Sequence, residues 1–537
     1  MSGSLSVQSD LEAARAATRI DPATSEALQR LADALATVRR LRPELPALAV
    51  RWMHLKHPLH PIQQDLLQEP GAGTAPWRRP GFFYRLAQCV VYAVYLMGRL
   101  GILQLAFRRE IARLRNQPFD LIARTLCFGT GRPADGSDFY YGDLQHRLAR
   151  RGRRLLLLCA DAQDGHAWTF ARNHLATSGT CRLPELCLIP VTAPLGMMGR
   201  QLAASWRFLR LARRLDDPLE RRIALAASVD CLAPDTAFTG LVYWAAKRAV
   251  GAWRPKAFLT FYEGQAWEHC ARLGVLASGV PCQTVGYQHT VLLPIQLLAF
   301  DGAGDGLMTS RPDQVLCLGP QTAAMLSGSH PRERLLVFGT FRSIPAGQDH
   351  APRPGQRTVL VVPESGLLAE TKVLLHFATR AARALPDHRF IFRCHPIMPF
   401  EAVRLHLQED PRACQNVEVS RAPSIGEDFA RASVVLYRGS SSVLYAVLHG
   451  LKPVYVHDEA LLDTDPLFGL TGWRATVSSV ADLAETLRRY AATPAYAAAE
   501  EWRGAAAYVQ AYTVPVDEAS VERFLEAVGL GRGASGR

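Results

Sequence analysis

Apolar residues fall into two kinds of run along this chain. From residue 125 onward, short apolar or β-branched runs of three to seven residues recur at 125–130, 154–160, 187–191, 257–262, 282–287, 315–318 and 335–338. They resume at 358–362, 389–393, 417–419, 433–436 and 454–456. Runs of that length bounded by Gly, Pro, Asp or Ser predict buried strands. Between them, apolar residues return with helical spacing: 143–151, a long insert over 196–250, 367–384, a helix starting near 425, 443–448, 480–492, 497–511 and 516–528. Strands alternating with helices predict parallel βαβ units with helices on both faces of each sheet.

Residues 1–118 lack this alternation. The spacing predicts a helix over 25–40, followed by repeated breaks at Pro43, Pro46, Pro58, Pro61, Pro70, Pro76 and Pro80. The stretch 86–107 is apolar apart from Arg99, with Arg78, Arg79 and Arg85 before it and Arg108, Arg109, Arg113 and Arg115 after it. Its length approaches a membrane span, and its central arginine opposes one. Three readings stay open: a core helix, an interfacial helix docking on anionic lipid, or a span. A Pro/Gly-rich polar linker at 344–356 is the clearest boundary. The expected organisation is a helical extension (1–118), a Rossmann-like acceptor domain (119–345) and a Rossmann-like donor domain with C-terminal helices (346–537). The fold class is therefore α/β, two doubly wound sheets.

Composition narrows the partners. With 48% hydrophobic and 20% charged residues, the chain is globular rather than disordered. A formal charge of +12 favours anionic partners such as nucleotides, acidic sugars or an anionic membrane surface. Neither zinc-finger spacing nor a basic recognition helix is present, so nucleic acid is not expected. Eleven cysteines without a C-x-x-C pair fit a reducing cytoplasm. The start shows no secretory signal pattern. No cofactor and no metal are expected.

The chemistry-bearing residues sit just after strands. Ligands of doubly wound sheets bind at those C-terminal ends. His395-Pro396 follows 389–393, and the imidazole there can donate to a phosphate. Arg438-Gly439-Ser440-Ser441-Ser442 separates a strand from the helix at 443–448, which Gly450 closes. Hydroxyls and free N–H groups at a helix start can hold an anion, or a serine there can simply cap. Arg438 either adds charge to that site or pairs with a surface carboxylate. Pro363-Glu364-Ser365-Gly366 is placed for donor contacts through Ser365 and Gly366, while Glu370, one turn on, reads as a solvated charge. Ser424 and Glu427 have capping-box spacing.

In the first domain, Glu263 ends the strand at 257–262. It is either a general base for an acceptor hydroxyl or a helix cap. Glu268 is either an acceptor contact or a group that orients its neighbours. Gln288 and His289, after 282–287, can bind polar substrate groups. The loop Asp135-Gly136-Ser137-Asp138 offers an acceptor contact at Asp135 and a second candidate base at Asp138.

A His-Pro after a strand, followed some tens of residues later by a Ser-Ser pair at a helix start, resembles the donor-domain motifs of bacterial GT-B glycosyltransferases that use CMP-activated acidic sugars. These are the sialyl-, polysialyl- and Kdo-transferases. The Tyr262-Glu263 … Trp267-Glu268 and Gly286-Tyr287-Gln288-His289 segments are similar to those of surface-carbohydrate biosynthesis proteins of that broad group. The likeness spans about residues 120–490. It implies that His395, Ser440 and Ser441 contact the CMP phosphate and the sugar carboxylate, without metal. The paired-acid motif of the sialyltransferases has no full counterpart, because Asp135-Gly136 lacks the second acid.

The expectation is a cytoplasmic transferase, peripheral on the inner membrane. It would move Kdo or a nonulosonic acid from a CMP donor to a glycan or lipid-linked acceptor for capsule or lipopolysaccharide. The alternatives are a UDP-sugar or CDP-glycerol dependent transferase of the same architecture, a sugar-nucleotide epimerase, and a catalytically dead assembly scaffold.

Overall fold

In a computed structural model of the chain, residues 22–54, 62–63, 66, 81–127, 137–161, 181–296, 311–341, 351–364, 368–395, 398–459 and 461–531 are described. Two wholly parallel sheets organise them. The first has seven strands: β1 (Leu121–Cys127), β2 (Leu155–Asp161), β3 (Cys181–Pro184), β4 (Ala257–Phe261), β5 (Gln283–Tyr287), β6 (Gln314–Cys317) and β7 (Leu335–Val337), in the order β3-β2-β1-β4-β5-β6-β7. The second has six: β8 (Thr358–Val362), β9 (Arg389–Phe392), β10 (Val417–Val419), β11 (Val434–Tyr437), β12 (Lys452–Val456) and β13 (Ala475–Val477), in the order β10-β9-β8-β11-β12-β13.

Each sheet grows outward from its first strand, then returns to the other side of that strand. β4 pairs with β1, and β11 with β8. This reversal is the doubly wound Rossmann pattern. It opens a crevice beyond the C-terminal ends of β1/β4 and of β8/β11. The strands are continuous apolar runs because helices cover both faces; all five residues of β4 and all four of β11 are buried.

Helices α1 (Pro22–Leu41), α2 (Leu45–Ala49), α3 (Phe82–Ala106) and α4 (Arg108–Arg115) precede the first sheet. Those associated with the first sheet are α5 (Leu144–Ala149), α6 (Ala193–Ala212), α7 (Pro218–Asp230), α8 (Pro234–Trp253), α9 (Ala266–Leu276) and α10 (Pro320–Leu326). The second half carries α11 (Leu368–Ala384), α12 (Phe400–Arg404), α13 (Ile425–Arg431), α14 (Ser442–Leu448), α15 (Val480–Ala492), α16 (Ala495–Tyr512) and α17 (Glu518–Ala527). The N-terminal helices pack onto the first half: α1 lies against α7, and α2 against α6, α8 and α9. Trp52 adds a buried hydrogen bond from Nε1 to Asp230 at 2.8 Å.

The end of the chain returns to the first sheet. Residues 514–516 bond to Leu318 and Thr340, beyond β6 and β7. Val521, Phe524 and Leu525 of α17 join the first sheet's core.

Three local expectations are corrected. The strand expected at 187–191 is a short 3-10 helix, Glu185–Leu188, and the strand lies earlier, at β3. β1 starts at Leu121 because Arg124, polar in sequence, is buried against Glu185 at 2.6 and 2.7 Å. Ser424 does not cap α13; its hydroxyl donates instead to the Glu427 carboxylate at 3.2 Å. The reciprocal capping box is at Ser479 and Asp482, which start α15.

Candidate functional site

Among the described residues, the C-terminal ends of β1 and β4 are flanked by aromatic rings and the Glu263 carboxylate. β4 ends at Phe261. The chain turns through Glu263 and Gly264, the latter at φ +77°, before α9 begins. The Glu268 carboxylate, fully buried, holds this turn by accepting the N–H of Glu263 at 3.0 and 3.1 Å and of Gly264 at 3.0 Å. Glu268 is therefore the group that fixes the turn.

Glu263 itself points elsewhere. Its Oε1 stands 3.4 Å from Nε2 of His289, and its Oε2 accepts from Gln265 at 3.3 Å. The His289 ring, just past β5, packs on Phe261 (4.3 Å between centroids) and Tyr140 (4.8 Å). A carboxylate paired with an imidazole among aromatic rings at a crevice mouth can hold and move a proton. Tyr140 is the residue missed from sequence; a Tyr-Tyr pair after an acidic loop carries no pattern of its own.

Asp138 is placed differently. Its carboxylate accepts from Thr125 Oγ1 at 3.0 and 3.1 Å and from the N–H groups of Tyr140 and Tyr141 at 2.9 and 3.0 Å. Arg182 stands 3.6 Å away. These partners occupy the oxygens inside the turn that presents Tyr140, so Asp138 positions that loop. Asp135 lies outside the described residues. Gln288 is fully buried; its amide donates to the Thr290 carbonyl and its oxygen accepts the N–H of Leu318 at 3.3 Å, tying β5 to β6.

In the second sheet, β9 and β11 both pair with β8, one on each side. Residues 395 and 440, just beyond those strands, thus lie at one edge of the sheet, two strand spacings apart, or roughly 10 Å. Glu364 ends the segment after β8, and Ser365, Gly366 and Pro396 lie outside the described residues. Gly439 has φ +69°, and a Cβ there would sit 2.9 Å from Glu364 Cγ. Only glycine lets the two strand ends approach so closely. Ser440 and Ser442 share a hydrogen bond at 2.7 Å, and Ser441 is exposed. No serine caps α14, whose seven residues make a short helix.

Arg438 corrects both sequence readings. It is completely buried, pairing with Glu370 and donating to Tyr455 Oη at 3.1 Å, Val456 O at 2.9 Å and Leu462 O at 2.8 Å. It braces the turn from beneath, and Glu370 is an internal counter-ion rather than a solvated charge. Burial raises the Glu370 carboxyl above its usual range, and Arg438 opposes that rise.

The two edges meet one helix. The loop after β12 packs on α16, where a Cβ at Gly469 would lie 3.1 Å from the Tyr508 ring. Four residues on, the Tyr512 hydroxyl accepts from Leu292 N at 2.9 Å and donates to Leu292 O at 2.8 Å, beyond β5. Among the described residues no group of three His, Cys, Asp or Glu side chains is placed to hold a metal ion.

No family model and no curated protein matches the chain. Solved structures do. The glycosyltransferase of kitacinnamycin is 16% identical over 77% of this chain and 99% of its own, with a TM-score of 0.43. The UDP-GlcNAc 2-epimerase of Neisseria meningitidis, bound to UDP-GlcNAc, is 11% identical over 76% and 99%, with a TM-score of 0.41. The glycosyltransferase SnogD of Streptomyces nogalater is 15% identical over 76% and 100%, also at 0.41. At these values none carries an activity, a donor or a residue role across to this chain.

Proposed function

We propose that the chain is a nucleotide-sugar dependent glycosyltransferase of the GT-B type, and that its donor is a CMP-linked acidic sugar. The observation that carries the reading is α16. Tyr508 meets the loop after β12 and Tyr512 the segment after β5, one helical turn apart, which supports a reading in which the two sets of strand ends face one space. A donor held at the β8/β11 end and an acceptor at the β1/β4 end would meet there.

In this reading the Glu263 carboxylate, flanked by His289, takes the proton from an acceptor hydroxyl. The hydroxyl oxygen forms the new bond to the anomeric carbon. The bond from that carbon to the CMP phosphate breaks, and the phosphate leaves with the electron pair. In this reading His395 and the hydroxyls of Ser440, Ser441 and Ser442 would meet the phosphate. A preorganised set of donors can stabilise such a leaving group without metal. The excess positive charge of the chain suits a donor carrying both phosphate and carboxylate.

Donor hydrolysis and transfer with CMP-, UDP- and CDP-linked substrates test this. Turnover of the CMP-linked acidic sugar supports it. Turnover of a UDP donor alone overturns the CMP assignment. Conversion of the donor to an epimer without acceptor overturns the transferase reading itself.

A further inference from the structure

Apart from Arg85, Gln88, Arg99 and Gln104, helix α3 is apolar, and only one of its faces is covered. Cys89, Ala93, Leu96, Leu100 and Leu103 form its buried stripe, three and four residues apart, facing the first sheet's layer. The opposite stripe is apolar too: Phe83 is 82% exposed, Val91 69%, Val94 59% and Leu105 75%. A helix on an ordinary surface turns polar residues outward.

Helix α6 runs beside it in the opposite direction. Cys89 donates to Gln201, while Gln104 donates to the carbonyl of Ile189 just before α6. Its exposed positions Leu195, Leu202 and Trp206 fall on one face. The two stripes together make one apolar surface, with Phe83 and Tyr84 at the end of α3 that lies nearer Trp206.

Charge identifies the occupant. Residues 82–115 hold six arginines and a single acid, Glu110; residues 191–214 hold five arginines and no acid. Arg113 and Arg207 are paired with Glu110 and Glu44, and the remaining excess of arginine along both helices, beside an exposed apolar stripe, matches an anionic lipid surface, with Trp and Tyr suited to the headgroup level. A second copy of the chain would set these arginines against each other. A span would have to strip the buried stripe of α3 from the core and bury Arg99.

We infer that the α3–α6 face docks the protein flat on an anionic bilayer. This holds independently of the donor. The test is co-sedimentation of the full chain with vesicles of phosphatidylcholine, with and without phosphatidylglycerol. Its variants are Val91→Glu/Val94→Glu/Leu105→Glu, Trp206→Ala, and the control Tyr496→Glu, which alters an equally exposed ring on α16.

The expected result is salt-sensitive binding to the anionic vesicles only. It should fall by about tenfold or more in the triple variant and less in Trp206→Ala, and stay unchanged in Tyr496→Glu. Thermal melting of each variant separates lost docking from lost fold. If the triple variant unfolds, a blue shift of Trp206 emission on anionic vesicles, absent in Trp206→Ala, decides in its place. Failure to bind, equal binding to neutral vesicles, or binding untouched by the substitutions overturns the proposal. So does a lipid-free dimer that the triple variant dissociates, or resistance to alkaline extraction, which would make α3 a span.

Discussion

The Glu268 carboxylate accepts the backbone N–H of Glu263 through both oxygens, at 3.0 and 3.1 Å. Two acids five residues apart therefore do different jobs: Glu268 shapes the turn, and Glu263 is left facing His289 and the crevice. Glu263→Gln should keep the fold and melting temperature while lowering transfer by about 10²- to 10⁴-fold, the usual range for a general base. Glu268→Ala should lower stability by about 1–3 kcal/mol, since two buried N–H groups lose their acceptor. Activity assays paired with thermal melting distinguish them. An active Glu263→Gln enzyme would remove the base assignment.

The Arg438–Glu370 pair makes a pH-dependent prediction. Arg438→Met leaves the Glu370 carboxylate buried without its cation, a change that costs about 3 kcal/mol in comparable buried pairs. Burial already holds the Glu370 pKa above its unfolded value, and removing Arg438 raises it further. A folded state that binds the proton more tightly loses stability as pH rises through the interval between the two pKa values. The variant's deficit should thus be large at pH 8 and shrink as pH falls toward 5, as urea unfolding at the two pH values would show. A deficit independent of pH would mean that the pair is not the source.

The sheet strands were legible because they are buried on both faces. Thr358–Val362 and Val417–Val419 have the same bounds in sequence and structure, and β4 and β9 differ by one residue. Misreadings arose where a polar residue is neutralised from far away. Arg124 hides the start of β1 because its partner Glu185 is 61 residues distant, and the buried partner of Arg438 is hidden because Glu370 is 68 residues distant. Pairing across such separations depends on strand order, which apolar periodicity does not encode. The same blindness hid the roles of Asp138 and Tyr140. Asp138, the second candidate base, has its carboxylate bonded within its own turn, and the Tyr140 ring that packs on His289 carries no motif.

Gly439→Ala probes the second crevice. The position has φ +69°, and the added methyl would meet Glu364 Cγ at 2.9 Å and Thr464 Oγ1 at 3.3 Å. The left-handed backbone alone costs about 1 kcal/mol for a residue with a Cβ, and displacing Glu364 widens the gap between the β8 and β11 ends. Nucleotide affinity, measured by calorimetry, should fall by about tenfold or more with only a modest loss of stability. Gly279→Ala, also at φ +69° but with nothing within 4 Å of a Cβ, is the matched control. Equal affinities in the two variants would place the nucleotide elsewhere.

Acid should weaken the first domain through His330. Its ring is buried, with Nε2 2.6 Å from the Tyr262 hydroxyl and Nδ1 2.9 Å from Ser329 Oγ. Burial, then Arg311, with smaller contributions from Arg272 and Arg334, lowers its pKa to about 4 from an ordinary 6.5. A histidine whose folded pKa is depressed takes up a proton on unfolding. Stability is then full above pH 6.5 and falls as pH drops toward 4. By pH 4.5 the loss from this one group is about 2 kcal/mol. His330→Gln keeps hydrogen-bonding capacity without the titration. It should start less stable at pH 7.5, because the fit to Tyr262 and Ser329 is altered, yet lose about 2 kcal/mol less on going to pH 4.5. Chemical denaturation of both proteins at the two pH values measures the difference. His54 is also buried, with its pKa lowered by burial, Arg39 and Arg272, and titrates in the same direction in both proteins, so it cancels from that difference. Parallel acid losses in the two proteins would show that the proton goes elsewhere.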